Sequence, residues 1–152
     1  MNAMWAEIYG TANLGDIAIF QPNPDIVWVG TGESWVRNTV SVGDGVYRSD
    51  NGGDSWTHLG LEDSDHIPAI VVDPNDSQTV FVCAMGHLWA AGGQRGVFRT
   101  TDGGQSSENV LHIDDDTSCS DLEMTPAGDV LYAGMWHVRR SPDFFVSGGP
   151  TT

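Results

Sequence analysis

Carboxylates, imidazoles, guanidinium groups and indole rings gather in a few polar stretches of this chain. Glu33, Arg37 and Asp44 fall in one stretch, Asp63, Asp65 and His66 in a second, and His87, Trp89 and Arg95 in a third. Trp136, His137, Arg139 and Arg140 form a fourth. An acid and a base placed across a glycosidic bond, with the sugar ring stacked on an indole, could hydrolyse it. The same set could instead hold a peptide. Glu33, His87 and His137 have the right donor types for a metal ion, but they lack a close-spaced ligand motif, so no metal and no cofactor is expected. Each residue also has a structural reading: Glu33 and Asp44 holding loop backbone, His87 and His137 bonding within loops, Arg139 and Arg140 offsetting nearby acids.

The elements that must position these groups are built around two similar hairpins. Gly45 to Leu59 runs Gly-Val-Tyr-Arg-Ser-Asp-Asn-Gly-Gly-Asp-Ser-Trp-Thr-His-Leu, and Gly96 to Ser107 repeats it as Gly-Val-Phe-Arg-Thr-Thr-Asp-Gly-Gly-Gln-Ser-Ser. Asn51 and Asp102 can accept bonds from the amides that follow, Ser49 and Thr100 can brace the turn, and Gly53 and Gly104 suit a backbone most residues would find strained. Trp56 begins the next strand, where its ring can bury. These are folding roles.

Around the hairpins a longer order repeats. A short strand, a Pro turn, a second strand, a polar loop and the hairpin occur in sequence, and Pro22, Pro74 and Pro126 are spaced by 52 residues each time. Trp28, Phe81 and Tyr132 then fall at equivalent places in the second strands. A four-stranded unit repeating about every fifty residues, rich in Gly and Trp, is the pattern of a β-propeller blade. The expected fold is therefore all-β, a propeller segment of about two and a half antiparallel blades in an incomplete ring. The units are 15–61, 66–113 and 119–152, the last incomplete and reaching only its second strand; residues 1–14 are read as the last strand of a preceding blade.

Strand parity sorts the loops by end. The Pro turns and the Gly-Gly turns share one end. The long loops Thr31–Asp44, Met85–Arg95 and Met135–Gly149, with Glu62–His66 and Asp114–Ser118, share the other, so ligand contacts are expected there.

The hairpin pattern, a hydroxyl residue, Asp, Gly, Ser or Thr and an aromatic at fixed offsets, resembles the Asp-box, or bacterial neuraminidase repeat. Asn51 replaces the Asp in the first copy and Ser107 the aromatic in the second. Val27–Glu33, Gly43–Tyr47, Gly86–Trp89, Met135–Arg140 and Ser147–Pro150 resemble the glycosyl-hydrolase-like repeat proteins related to the sortilin propeller. The resemblance implies a scaffold binding peptide or carbohydrate through the long-loop face within a larger protein, and a secreted or periplasmic location. The alternative it carries is a glycoside hydrolase whose acid and base are completed by further blades. The arginine triad and Tyr–Glu pair of Asp-box sialidases have no match here, nor do the Asp motifs of xyloglucanase-type propellers, so no catalytic residue is assigned.

Composition narrows the partners. The 152 residues carry a formal charge of −15 and their six basic residues are all Arg, which disfavours nucleic acid and anionic membranes by repulsion. No run is long enough for a membrane-spanning helix, and residues 1–15 show no basic start followed by an apolar segment. Expected partners are a ligand and either the remaining blades of a longer chain or further copies of this one. Cys83 and Cys119 have no metal spacing and cannot be paired from sequence. They are expected to be free, buried thiols.

Overall fold

A computed structural model describes residues 13–37, 39–140 and 145–148. The strand expected from Trp5-Ala6-Glu7-Ile8 lies outside the described residues. Among those described there is no helix, and eleven strands form three antiparallel sheets. The first sheet has the order β1 (Leu14–Ile19), β2 (Val27–Thr31), β3 (Val46–Ser49), β4 (Thr57–His58), and the second β5 (Ala69–Asp73), β6 (Asp76–Met85), β7 (Arg95–Thr100), β8 (Glu108–Leu111). In the third, β9 (Thr117–Met124) pairs with β10 (Leu131–Arg140), which pairs with β11 (Phe145–Gly148). Each sheet is an up-and-down meander, so the sequence parity holds and the long connections leave from one end.

The third unit departs from expectation. Its second strand continues through Met135–Arg140, a stretch read above as loop, because β9 starts early enough for Thr117 to Cys119 to pair with it, and a third strand follows. Trp136, His137 and Arg139 therefore project from a rigid strand.

Alternation along the strands gives each sheet two apolar faces, and the core lies between sheets. Trp28 and Val46 of the first sheet meet Ile70, Val80, Val82 and Phe98 of the second, and Ala69, Cys83 and Val97 of the second meet Cys119 and Leu122 of the third. Cys83 and Cys119 are joined as a disulfide across this second interface, which corrects the expectation of free thiols. The two cysteines sit on facing strands of neighbouring sheets, a proximity that 36 residues of separation concealed.

The hairpin turns close as their residue types dictate. Ser49 Oγ accepts the amide of Gly53 at 2.8 Å while Asn51 Oδ1 accepts that of Ser55 at 2.9 Å. In the second copy Thr100 Oγ1 accepts the amide of Gly104 at 2.9 Å and Asp102 Oδ1 that of Ser106 at 2.9 Å. Trp56 is half-buried, its indole N–H donating to Gly53 O at 3.2 Å. Gly104 has φ +96°, and a Cβ there would stand 2.4 Å from Leu59 Cδ1 and 3.1 Å from Trp28 Cη2. The second turn is thus seated on the first sheet. Arg48 strengthens that seat, lying over the Trp28 ring and donating to Gly103 O at 2.9 Å.

Hydrogen bonds from the Ser106 hydroxyl and amide, with that from Thr100, hold the Asp102 carboxyl down at about 2, against an ordinary 3.8. A carboxylate depressed in the folded state stabilises above its unfolded pKa and ceases to do so as pH falls through the folded one. The urea midpoint should therefore fall more steeply between about pH 4 and pH 2 in the wild type than in Asp102→Asn. Parallel profiles for the two proteins would refute this role.

Candidate functional site

At the long-loop end the three sheets enclose a cleft of about 520 Å³. Gly15 and Ser120 supply it from the first strands of two sheets, and Pro68 from the residue before β5. Met85 and Trp136 close it from the second strands, and Ser34, Trp35 and Val36 reach over it from the β2–β3 loop. None of these lining side chains is ionisable. Trp35 is 84 % exposed, an unusual state for so large an apolar ring and one that leaves its face open to a ligand.

Glu33 holds the base of the loop that carries Trp35. Its amide donates to Ser41 O at 2.9 Å, its Oε2 accepts the Ser41 amide at 3.4 Å, and Arg37 Nη2 lies 2.5 Å from Oε1. The Arg37 hydrogen bond, aided by Ser41, keeps the carboxyl below the usual carboxylate range despite partial burial. Glu33 thus ties the two sides of the loop base together through its backbone and its carboxylate.

Asp44 is likewise engaged by the fold. Its Oδ2 accepts the Tyr47 hydroxyl at 2.7 Å and its Oδ1 that of Thr31 at 3.1 Å. Burial, then the bond to Asp44, pushes the Tyr47 phenol up to about 12. Asp65 contributes its backbone, accepting the Gly43 amide at 2.7 Å. His66 is buried with no hydrogen-bond partner on either ring nitrogen among the described residues, and burial lowers its pKa against the opposing pull of Asp65 and Glu33.

The remaining expected residues gather around the β6–β7 loop at the rim between the second and third sheets. His87 Nε2 lies 3.0 Å from Asp63 Oδ1, and the Arg140 guanidinium sits 5.7 Å from the centre of the Trp89 ring. Arg139 Nε donates to Asp116 Oδ1 at 2.7 Å. His137 pairs in register with Thr117 and Gly148 on β10. Arg95 is wholly buried beneath the loop, donating to Gly92 O at 3.3 Å, to His87 O at 2.6 Å and to the Ser118 hydroxyl. Burial lowers its pKa, with Asp116 the leading opposing influence.

Of the residues named from sequence, Trp136 lines the cleft and Glu33 and Arg37 brace its overhang. Asp44 lies in a separate network at the loop base, while His87, Trp89 and Arg139 are paired separately, with Asp63, Arg140 and Asp116. The sequence reading omitted Trp35, Ser34, Val36, Met85 and Ser120. Trp35 had a usable signal, an indole in a polar, Gly-flanked loop with no apolar periodicity to bury it. Among the described residues no group of three or more His, Cys, Asp or Glu side chains is arranged to hold a metal ion.

No protein-family model matches the sequence, and no curated protein does. Solved structures do match. A GH74 enzyme from Niastella koreensis is 21 % identical with a TM-score of 0.60, over 80 % of this chain and 17 % of that one. An ancestral GH74 enzyme is 22 % identical with a TM-score of 0.62, over 82 % and 17 %. The GH74 xyloglucanase from Xanthomonas campestris is 15 % identical with a TM-score of 0.52, over 90 % and 23 %. The chain spans 17–23 % of the length of these proteins. The likeness fixes the fold: the three sheets are consecutive blades of a β-propeller arc.

Proposed function

We propose that this chain is a carbohydrate-binding segment of a larger propeller, of the Asp-box, glycosyl-hydrolase-like kind, and that its ligand lies in the cleft between Trp35 and Trp136. The observation that carries the reading is a cleft lined by two indoles and two serines, with no ionisable side chain. Sugar rings present C–H faces that stack on indoles and hydroxyls that bond to serine, whereas a peptide selected by charge would need the ionised groups this cleft lacks. The neutral lining also favours binding over hydrolysis, which requires two carboxyl groups across the scissile bond. The structural neighbours include a xyloglucanase, which agrees with a neutral glycan. The buried disulfide agrees with an oxidising, secreted or periplasmic setting.

Calorimetry with cello-, xylo- and manno-oligosaccharides tests this. One of the series should bind, and Trp35→Ala should weaken it by about 0.5–1.5 kcal/mol, the range of an aromatic stacking contact, with the melting temperature unchanged. Binding of none of them, or binding indifferent to both Trp35→Ala and Trp136→Ala, would sink the reading.

A further inference from the structure

A buried imidazole stands without a partner next to the cleft. His66 is 1 % exposed, and neither ring nitrogen has a hydrogen-bond partner among the described residues. Buried polar groups are ordinarily paired, so a titratable one left single calls for an explanation.

The segment that carries His66, residues 64–68, is wedged between the first two sheets. Asp65 O accepts the Gly43 amide at 2.7 Å and Thr31 O accepts the Ile67 amide at 3.0 Å, which binds the segment to the base of the Trp35 loop. On its other side His66 O accepts the Met85 amide at 3.0 Å and the Ser64 hydroxyl at 3.1 Å, and Ser64 Oγ accepts the Gly86 amide at 3.1 Å. The first sheet approaches it through glycines: a Cβ at Gly32 would stand 2.1 Å from Asp65 O, and one at Gly15 2.1 Å from Ile67 O. Pro68, Met85 and Gly15 all line the cleft. Displacing this segment would therefore loosen the cleft on two sides at once.

Such a position tolerates a neutral imidazole, whereas an imidazolium would bring two N–H donors and a charge that need acceptors. The charged groups acting on His66 are Asp65 on its own segment and Glu33 on the β2–β3 loop, and Glu33 is already engaged by Arg37 and Ser41. Asp44, at the other end of that loop, is occupied by Thr31 and Tyr47. From the second sheet, His87 is turned to Asp63, and Arg95 to loop carbonyls and Ser118. Desolvation outweighs both carboxylates and lowers the His66 pKa. The closed arrangement thus binds fewer protons than an open one, so its full stability is present above the ordinary imidazole value of 6.5 and is lost as pH falls below it.

We infer that His66 is an acid-sensitive latch on the cleft: neutral, it lets residues 64–68 lie closed between the two sheets, and protonated, it drives them away from the first sheet and frees the base of the Trp35 loop. The bonds that break are those of Gly43 to Asp65 O, of Ile67 to Thr31 O and of Met85 to His66 O. The device is local, since the Gly-Gly turns at the opposite end of the sheets share none of these bonds. That a glycan would be released in acid rests in addition on the reading of the cleft given above.

Hydrogen exchange followed by NMR between about pH 7.5 and pH 5, expressed as protection factors so that the intrinsic pH dependence of exchange is removed, tests this. Protection of the Gly43, Ile67 and Met85 amides should fall by up to about tenfold for each pH unit below 6.5, while that of Gly53 and Gly104 falls less. His66→Gln and His66→Phe, which cannot take up the proton, should each flatten the profile at the first three amides. Protection there that does not change with pH in the wild type overturns the inference, and this arm stands even if neither variant folds. So does an equal loss at Gly53 and Gly104, which would mark a global effect of acid, or a pH dependence that survives in a folded variant. No ligand enters the measurement, so its failure leaves the carbohydrate reading standing, and failure of the oligosaccharides to bind leaves the latch standing.

Discussion

Replacing Cys83 and Cys119 together by alanine is expected to lower the unfolding free energy by about 4 kcal/mol, the loop-closure entropy that a bridge over some 36 residues removes from the unfolded chain. The bridge ties β6 of the second sheet to β9 of the third, and both residues are buried in the interface between them. Its position bears on the cleft too. Met85 lies two residues beyond Cys83 and Ser120 immediately follows Cys119, so the bridge underlies two of the lining residues. Equilibrium urea denaturation without reductant, comparing wild type and double variant, gives the difference directly. Equal midpoints would show that interface packing alone carries the junction.

Arg95→Ala should be comparably costly, about 3–5 kcal/mol, because it combines a large deletion in a packed region with the loss of partners for buried carbonyl groups. The guanidinium reaches Gly92 O and His87 O on the β6–β7 loop and the Ser118 hydroxyl on β9. Ser118 in turn donates to Met85 O at 2.8 Å, completing a chain from the loop through the third sheet to the end of β6. Arg95→Lys should recover little, since an ammonium cannot reproduce three divergent planar donors. Denaturation midpoints measure the cost, and hydrogen exchange locates it: the amides of His87 and Gly92 should lose protection first, both now being held in hydrogen bonds. Exchange unchanged in that loop would mean that Arg95 fills space without ordering it.

Much of the fold was legible because its signals are local. Pro turns, Gly-Gly turns and alternating apolar residues are read within a few positions, and parity then decides which loops share an end. Boundaries were less legible: Met135 to Arg140 has the polar composition of a loop, yet extends β10 because β9 begins at Thr117 and offers it a partner. The disulfide was hidden for a related reason. Cys83 faces the next sheet and Cys119 faces back, which only the sheet packing reveals. In the site, residue type was a poor guide to availability. Glu33 and Asp44 were chosen for their carboxylates, but Arg37, Ser41, Thr31 and Tyr47 already occupy those oxygens. Trp35, the most open indole named here, lies in the same stretch as those carboxylates, and only its exposure in the structure distinguishes it.

The seating of the second Gly-Gly turn on the first sheet bears on how such repeats diverge. At Gly53 an added Cβ would meet only the Trp56 ring, at 3.4 Å, whereas at Gly104 it would strike Leu59 and Trp28 of the preceding unit. Two similar hairpins thus carry unequal steric constraints. The first is constrained by its own backbone angles, while the second is also bound to a neighbour's side chains and can drift only in step with them. A duplicated unit inserted elsewhere in the array would inherit the motif but not the neighbour that fixes it, so the junctions between units, more than the units themselves, limit how freely an array of this kind can be shuffled.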